Sequence, residues 1–346
     1  MNDINIRKVG KTGRITFTRP KALNAMSYDM CIAIENALDS WADDDDVKMI
    51  VIDAEGDKAF CAGGDIAELY ETGINGNFEF GQKFWADEYR MNAKMFEFPK
   101  PVAAFMQGFT MGGGVGVGCH GSHRVVGDTS QIAMPECGIG LVPDVGGSYI
   151  LAHAPGRLGE YLGLTAARLN AGDAIHAGFA DYYIPEDQWD NLIAQLEDTG
   201  DWLLIDAAAK HINPGPIAEL ASEIDAEFGG ETLLDVLNAL KAANTDFARD
   251  TLKKLSRNSP LAMGCALEII HRVRRNGTIH GALDQEYRFT YRAMEHGDFL
   301  EGIRAQIIDK DRNPQWKHEL DALPAMAVSQ MLLPLGDAAL KFEKGE

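Results

Sequence analysis

The chain has 346 residues, long enough to bury a sizeable core as one large domain or two smaller ones. Its composition, 46% hydrophobic and 24% charged, is that of a globular protein, and no uninterrupted apolar run is long enough to span a bilayer. With 52 acidic against 32 basic side chains the net charge is -20, which argues against a general nucleic-acid or anionic-membrane surface but allows one anionic ligand held by local cations and backbone N–H groups.

From the N-terminus, MNDINIRKVGKTGRITFTRP has no apolar core of signal-peptide length, and the expected location is cytoplasmic. GRITFTRP (13–20) and VKMIVIDAEG (47–56) read as strands. Between them, residues 27–46 read as a helix capped by Ser27, with Met30, Ile32, Ile34, Leu38 and Trp41 on its inner face. The acidic ADDDD that closes it lacks EF-hand spacing and is expected to be a solvated loop. PVAAFMQG (101–108) and HRVVGD (123–128) are two more predicted strands, and the alternation implies crossover units with largely parallel strands. From about residue 205 the 3.6-residue period takes over and β-like runs nearly vanish. The Pro/Gly-bearing segment 198–216 is taken as the seam, dividing a 1–200 core from a mainly helical 205–346 region. Five scattered cysteines (31, 61, 119, 137, 265) form no CxxC pair, which suits a reducing compartment and gives no metal or disulfide framework.

Three stretches carry chemistry. KAFCAGGDIAELYETG (58–73) follows a strand and opens a helix, with Gly63 and Gly64 allowing close backbone approach and Asp65 placed as a helix-start acid. It is either an ordinary strand-to-helix turn or a cradle for an anion or developing oxyanion. GFTMGGGVGVGCHG (108–121) makes a poor helix on propensity, so something must approach its main chain closely; tight packing through the glycines is the plainer alternative. No GxxxxGK[ST] motif, and no GxGxxG in a convincing context, supports a nucleotide site. In AMPECGIGLVPDVGGSY (133–149), Glu136 and Asp144 each follow a proline and have apolar neighbours. Burial and mutual repulsion would raise both pKa values towards neutrality, as a general acid or base requires. Alternatively they cap loops or pair with arginines such as Arg124 and Arg157.

In their order and spacing, FCAGGDI, PKPVAAFMQGFTMGGGVGVG and MPECGIGLVPDVGGSYIL resemble the crotonase (enoyl-CoA hydratase/isomerase) superfamily. PDVGGSYILAHAPGRLGEYLGLTAARLNAGDAIHAGFADYYI and EYRFTYRAMEHGDFLEGIRAQIIDKDRNPQW narrow the resemblance to the 3-hydroxyisobutyryl-CoA hydrolase branch. The resemblance implies an α/β fold of the crotonase (ClpP/crotonase-like) type, a spiral of ββα units with a helical C-terminal region that completes the active site and coenzyme A pocket. It implies a thioester carbonyl held by the N–H groups of Gly64 and Gly113, an oxyanion hole in which each donor lowers the barrier by about 3–4 kcal/mol. It further implies Glu136 and Asp144 as the working acids and Glu88 as a substrate contact. Glu136 would activate water or attack the carbonyl directly, and Asp144 would orient the 3-hydroxyl or shuttle a proton. Hydratases of the superfamily carry a second glutamate three residues past the middle glycine. Here that position is Gly116, which argues against ordinary hydration.

For coenzyme A the resemblance points to Ala62, Gly64, Asp65 and Ile66. The polyanionic ligand also calls for local cations, Lys58 as a phosphate contact with Arg304 and Lys310 as weaker candidates, and the alternative for each is a surface ion pair. Phe84, Trp85, Met91 and Phe109 would shape the acyl pocket or simply pack a core. His120, His123 and His153 have no GxSxG elbow, and Cys61 and Cys137 are expected to fill apolar volume. The expected reaction is thioester hydrolysis in valine breakdown, with no metal and no cofactor beyond the coenzyme A of the substrate. The alternatives are another crotonase-type hydratase, isomerase or lyase, and a silent acyl-CoA-binding subunit. Relatives assemble through their C-terminal helices, so a homo-oligomer is possible unless the longer helical half covers that surface.

Overall fold

In the computed structural model, which describes residues 3–343, the β-like runs of the first half pair into two sheets. Strands β1 (Ile4–Val9), β2 (Thr12–Phe17), β3 (Met49–Ala54), β5 (Val102–Met106), β7 (His123–Val126) and β9 (Tyr182–Tyr183) lie in that order in the larger sheet. The β1–β2 pair is antiparallel and every later pair is parallel. A smaller parallel sheet joins β4 (Ala59–Cys61), β6 (Phe109–Met111) and β8 (Gln131–Ala133). The chain thus deposits one strand in each sheet and then a helix, three times over, which is a spiral of ββα turns. Parallel strands buried on both faces need continuous apolar sequence, and MIVIDA in β3 and VAAFM in β5 supply it.

The chain gathers into two compact units that interleave along the sequence. The first holds the chain up to Gly64 with Arg90–Ala133 and Arg168–Ala218, and every strand belongs to it. The second holds Asp65–Tyr89, Met134–Ala167 and the chain from Glu219 on. The division therefore does not fall at a single seam near residue 200. Residues 65–89 and 134–167 leave the strand-rich half because they follow β4 and β8 as helices and loops with no strand to pair. After Tyr183 the described residues contain helices and no further named strand.

Within the first unit, α1 (Tyr28–Ala42) starts where Ser27 accepts the Met30 N–H at 3.3 Å. Its inner face takes Met30, Ile34, Leu38 and Trp41 as expected, but Ile32 is only half-buried. Glu35 is buried instead, held by the Arg90 guanidinium through two bonds of 2.6 and 2.8 Å. Strand β2 ends at Phe17 rather than running to Pro20, because Pro20–Ala22 turns into a 3₁₀ segment.

The glycine run after β6 is helical after all: α4 (Gly113–Gly118) is buried throughout. A Cβ at Gly114 would lie 2.2 Å from the Cys61 carbonyl oxygen, and one at Gly118 would lie 2.7 Å from the Met106 sulfur. The close approach inferred from this sequence is thus made in part by the protein's own β4 and β5, and packing rather than propensity holds the helix. Gly114→Ala should lower stability by roughly 1–3 kcal/mol, read as a drop in the urea midpoint. An unchanged midpoint would contradict this packing.

Candidate active site

In the first unit, β4 and β6 run side by side with Cys61 opposite Thr110. Gly64 and Gly113 each lie three residues beyond that pair, so two glycine turns leave neighbouring parallel strand ends at equal offset. In the first turn Gly63 adopts φ +117°, and its carbonyl accepts the Met26 N–H at 2.9 Å. A side chain at Gly64 would meet nothing within 4 Å. In the second turn Gly112, at φ 51° and ψ -120°, precedes α4 and makes Gly113 its first residue. An N–H in that position has no intrahelical acceptor. Neither the Gly64 nor the Gly113 N–H donates to a protein acceptor among the described residues. Two unspent main-chain donors on neighbouring turns are suited to receive a developing oxyanion.

The second unit contains the acids. Glu88 lies on α3 (Phe78–Phe96), Glu136 opens a 3₁₀ turn (Glu136–Ile139) behind Pro135, and Asp144 lies in the loop before α5 (Gly147–His153). Their relative exposures are 3%, 4% and 4%. The Tyr89 hydroxyl donates to Asp144 Oδ2 at 2.7 Å, and Glu136 Oε2 is buried with no protein partner among the described residues. Burial lifts the Asp144 pKa to about 7, although the Tyr89 bond pulls it down. Burial, followed by the nearby Asp144 charge, holds both Glu88 and Glu136 well above the ordinary carboxylate range. The proposed arginine partners are engaged elsewhere. Arg124 pairs with Asp181 in the first unit, and Arg157 pairs with Glu160 in the second.

Glu286 was not singled out in the sequence. It lies on the Ile279–His296 helix, where it accepts the Gly146 N–H at 2.8 Å, the Ser148 N–H at 3.0 Å and the Ser148 hydroxyl. Burial raises its pKa to about 8 against the pull of the Ser148 and Gly146 bonds. The signal was available: Ile279, Ala282, Leu283, Glu286, Phe289, Thr290 and Ala293 form a buried stripe with one acid inside it. Asn92, also on α3 and four residues after Glu88, is fully buried, and among the described residues neither polar atom of its amide has a protein partner.

The coenzyme A candidates divide. Lys58 is exposed, and its ammonium has no protein partner among the described residues. Ala62 donates its N–H to Leu23 at 3.0 Å, which leaves its carbonyl available. The Ile66 carbonyl is taken by the Tyr70 N–H, and Ile66, not Asp65, is the residue that precedes α2 (Ala67–Ile74) as its cap. Arg304 is committed to Glu301, Asp309 and Asp311, while Lys310 is exposed at φ 57°. Phe84, Trp85 and Met91 are buried, Trp85 lies 5.5 Å from Phe299, and Phe109 lies under the Arg168 guanidinium. His120 packs on Phe96, His123 stacks on Tyr182, and the exposed His153 bonds the Tyr149 carbonyl. Cys61 and Cys137 are fully buried. Among the described residues no group of three or more His, Cys, Asp or Glu is arranged to hold a metal ion, and no helix is long and apolar enough to cross a membrane.

Because the Tyr89 hydroxyl favours the Asp144 anion, Tyr89→Phe should raise the Asp144 pKa by about one unit, measured by carbon-13 carboxyl titration. A midpoint that stays put or falls would show that the bond does not set the charge.

A family model described as enoyl-CoA hydratase/isomerase matches residues 12–332. The chain is 36% identical over 327 residues to a Danio rerio protein named "3-hydroxyisobutyryl-CoA hydrolase, mitochondrial", covering 91% of this chain and 85% of that one. The human protein of the same name is 33% identical over 356 aligned positions, covering 98% and 91%. Among solved structures, one titled as an enoyl-CoA hydratase from Rhodobacter sphaeroides is 55% identical with a TM-score of 0.94, covering 98% of this chain and 99% of that one. Another, titled as a carnitinyl-CoA dehydratase from Mycobacterium thermoresistibile, is 37% identical, also at 0.94, and covers 100% of both chains. With its ββα spiral, its two paired glycine turns and these likenesses along nearly its whole length, the chain belongs to the enoyl-CoA hydratase/isomerase (crotonase) family.

Proposed function

We propose that the chain hydrolyses an acyl-CoA thioester, converting 3-hydroxyisobutyryl-CoA and water to 3-hydroxyisobutyrate and coenzyme A. The observation that carries this reading is the buried Glu136 carboxyl, whose Oε2 has no protein partner among the described residues and whose proton is held by burial and by the nearby Asp144 charge. An unpartnered buried acid oxygen is costly unless a substrate or water meets it. The names of the curated relatives support the same reading.

In this mechanism the thioester oxygen accepts from the Gly64 and Gly113 N–H groups, and these stabilise the charge that grows as the carbonyl is attacked. The Asp144–Glu136 pair shares one negative charge in this mechanism, and the Tyr89 hydroxyl, which donates to Asp144 at 2.7 Å, favours placing it there. Glu136 must therefore pass its proton to Asp144 before it can take a proton from water or attack the carbonyl itself. The tetrahedral oxyanion then collapses, the C–S bond breaks, and the proton held by the pair goes to the departing thiolate. Where Glu136 itself has attacked, water then cleaves the resulting anhydride, which releases the acid and restores the Glu136 carboxyl. Glu88 meets the substrate hydroxyl, and Lys58 meets a phosphate of coenzyme A, with the Ala62 carbonyl and the Gly64–Ile66 turn along the rest of that cofactor-like group. Water and the substrate supply everything the step consumes. We assign the reaction to valine breakdown. The five cysteines, all free and buried, suit a reducing cytoplasm.

The Rhodobacter and Mycobacterium titles favour a second reading, addition or removal of water at an acyl-CoA double bond. Against it stands Gly116, where the superfamily's hydratases carry their second glutamate.

Coenzyme A release from 3-hydroxyisobutyryl-CoA, followed with a thiol reagent, separates the readings. Turnover is expected, with kcat falling as the pH drops below about 7, where the pair regains its second proton. Glu136→Gln should cost at least about a hundredfold in kcat while acyl-CoA still binds. Hydration of an enoyl-CoA without thiol release would establish the second reading. A Glu136→Gln protein with unaltered function would leave only a binding role.

A further inference from the structure

The loop that presents Asp144 is strained. Val145 adopts φ 53° and Gly146 φ 79°, two successive left-handed residues, the first of them β-branched. Such a backbone persists only where its surroundings over-determine it. Within the turn, the Gly147 N–H donates to the Asp144 carbonyl at 2.7 Å. Three donors of the turn, on Gly146 and Ser148, converge on Glu286. Its Oε2 accepts from Gly146, and its Oε1 accepts from both the N–H and the hydroxyl of Ser148. A fully buried carboxyl group 140 residues downstream thus caps α5 and grips both sides of Gly147. One turn further along the same helix, the Thr290 hydroxyl lies 3.4 Å from the Tyr89 hydroxyl that donates to Asp144.

We propose that Glu286 is a positioning residue: through Gly146 and Ser148 it locks the strained 145–148 turn and thereby aims the Asp144 carboxylate for proton transfer. The inference rests on the reading of Asp144 as a working acid. Glu286 touches neither the reacting carbonyl nor water in this scheme, so its removal should affect the rate through Asp144 alone. A purely structural brace would lower the amount of folded protein without coupling to Asp144.

The test uses the full chain with Glu286→Gln, Glu286→Ala and Ser148→Ala, each also combined with Asp144→Asn. Thiol release should fall about tenfold or more in kcat for Glu286→Ala with KM little changed, and by less for Ser148→Ala, which keeps the two backbone bonds. In the Asp144→Asn background Glu286→Ala should add less than about twofold, because the group it aims is already gone. Amide hydrogen exchange at Gly146 and Ser148 should accelerate at least about tenfold in Glu286→Ala. Full multiplication of the two losses, an unchanged kcat in Glu286→Ala, or unchanged exchange would each overturn the proposal. Should Glu286→Ala not fold, Glu286→Gln and Ser148→Ala carry the same comparison. If the wild-type protein releases no thiol from any short acyl-CoA while exchange accelerates as expected, the brace stands and the hydrolase reading fails.

Discussion

The chemistry of this protein depends on taking carboxyl groups out of water. Glu88, Glu136, Asp144 and Glu286 are all buried in the second unit, and desolvation is the largest influence on each of them. The Tyr89 hydroxyl donates to Asp144 and favours its anion, as the Ser148 and Gly146 bonds do for Glu286, and Asp144 has the lower pKa, about 7 against about 8 for Glu286. The environment thus separates acids of nearly equal intrinsic strength, which is how neighbouring carboxyls acquire different roles. The arrangement works against stability. The folded protein keeps protons that the unfolded chain loses above about pH 4, so stability from Asp144 and Glu286 is full below that pH and declines as pH rises through about 7–8.

The first unit solves a different problem with the main chain. An oxyanion needs donors that do not reorganise, and peptide N–H groups at the ends of two hydrogen-bonded parallel strands meet that need. Parallel pairing of β4 with β6 fixes the offset, the positive φ of Gly63 and Gly112 shapes the turns, and Gly114 lets α4 press against the Cys61 carbonyl. Substituting the glycines around Gly64 and Gly113 would therefore disturb the scaffold before it touched a ligand.

The long strands β2, β3, β5 and β7 and the α1 helix were legible in the sequence because each presents several residues of one periodicity. The smaller sheet was not. β4, β6 and β8 have three residues apiece, too few for alternation to register, and they lie inside the motif stretches. The glycine run of α4 misled in the opposite direction, since propensity disfavours a helix that tertiary contacts enforce. At the site, Glu136 and Asp144 stood out as acids among apolar neighbours, and the glycine turns stood out by composition. Tyr89 and Glu286 did not, because their significance lies in partners 55 and 138–140 residues away. The interleaving of the two units was hidden for the same reason: helical segments at 65–89 and 134–167 resemble ordinary crossovers until their contacts are known.

Gly116 and the pairing of Glu136 with Asp144 favour hydrolysis over hydration, and the two readings share the same fold and the same amide donors. What distinguishes this account is a proton kept on Glu136 at neutral pH beside an ionised Asp144. Infrared difference spectroscopy of the protonated carboxyl stretch, wild type against Glu136→Gln, tests this directly. The account predicts a protonated carboxyl band at neutral pH that the substitution removes. A wild-type spectrum in which the substitution removes only a carboxylate band would contradict it.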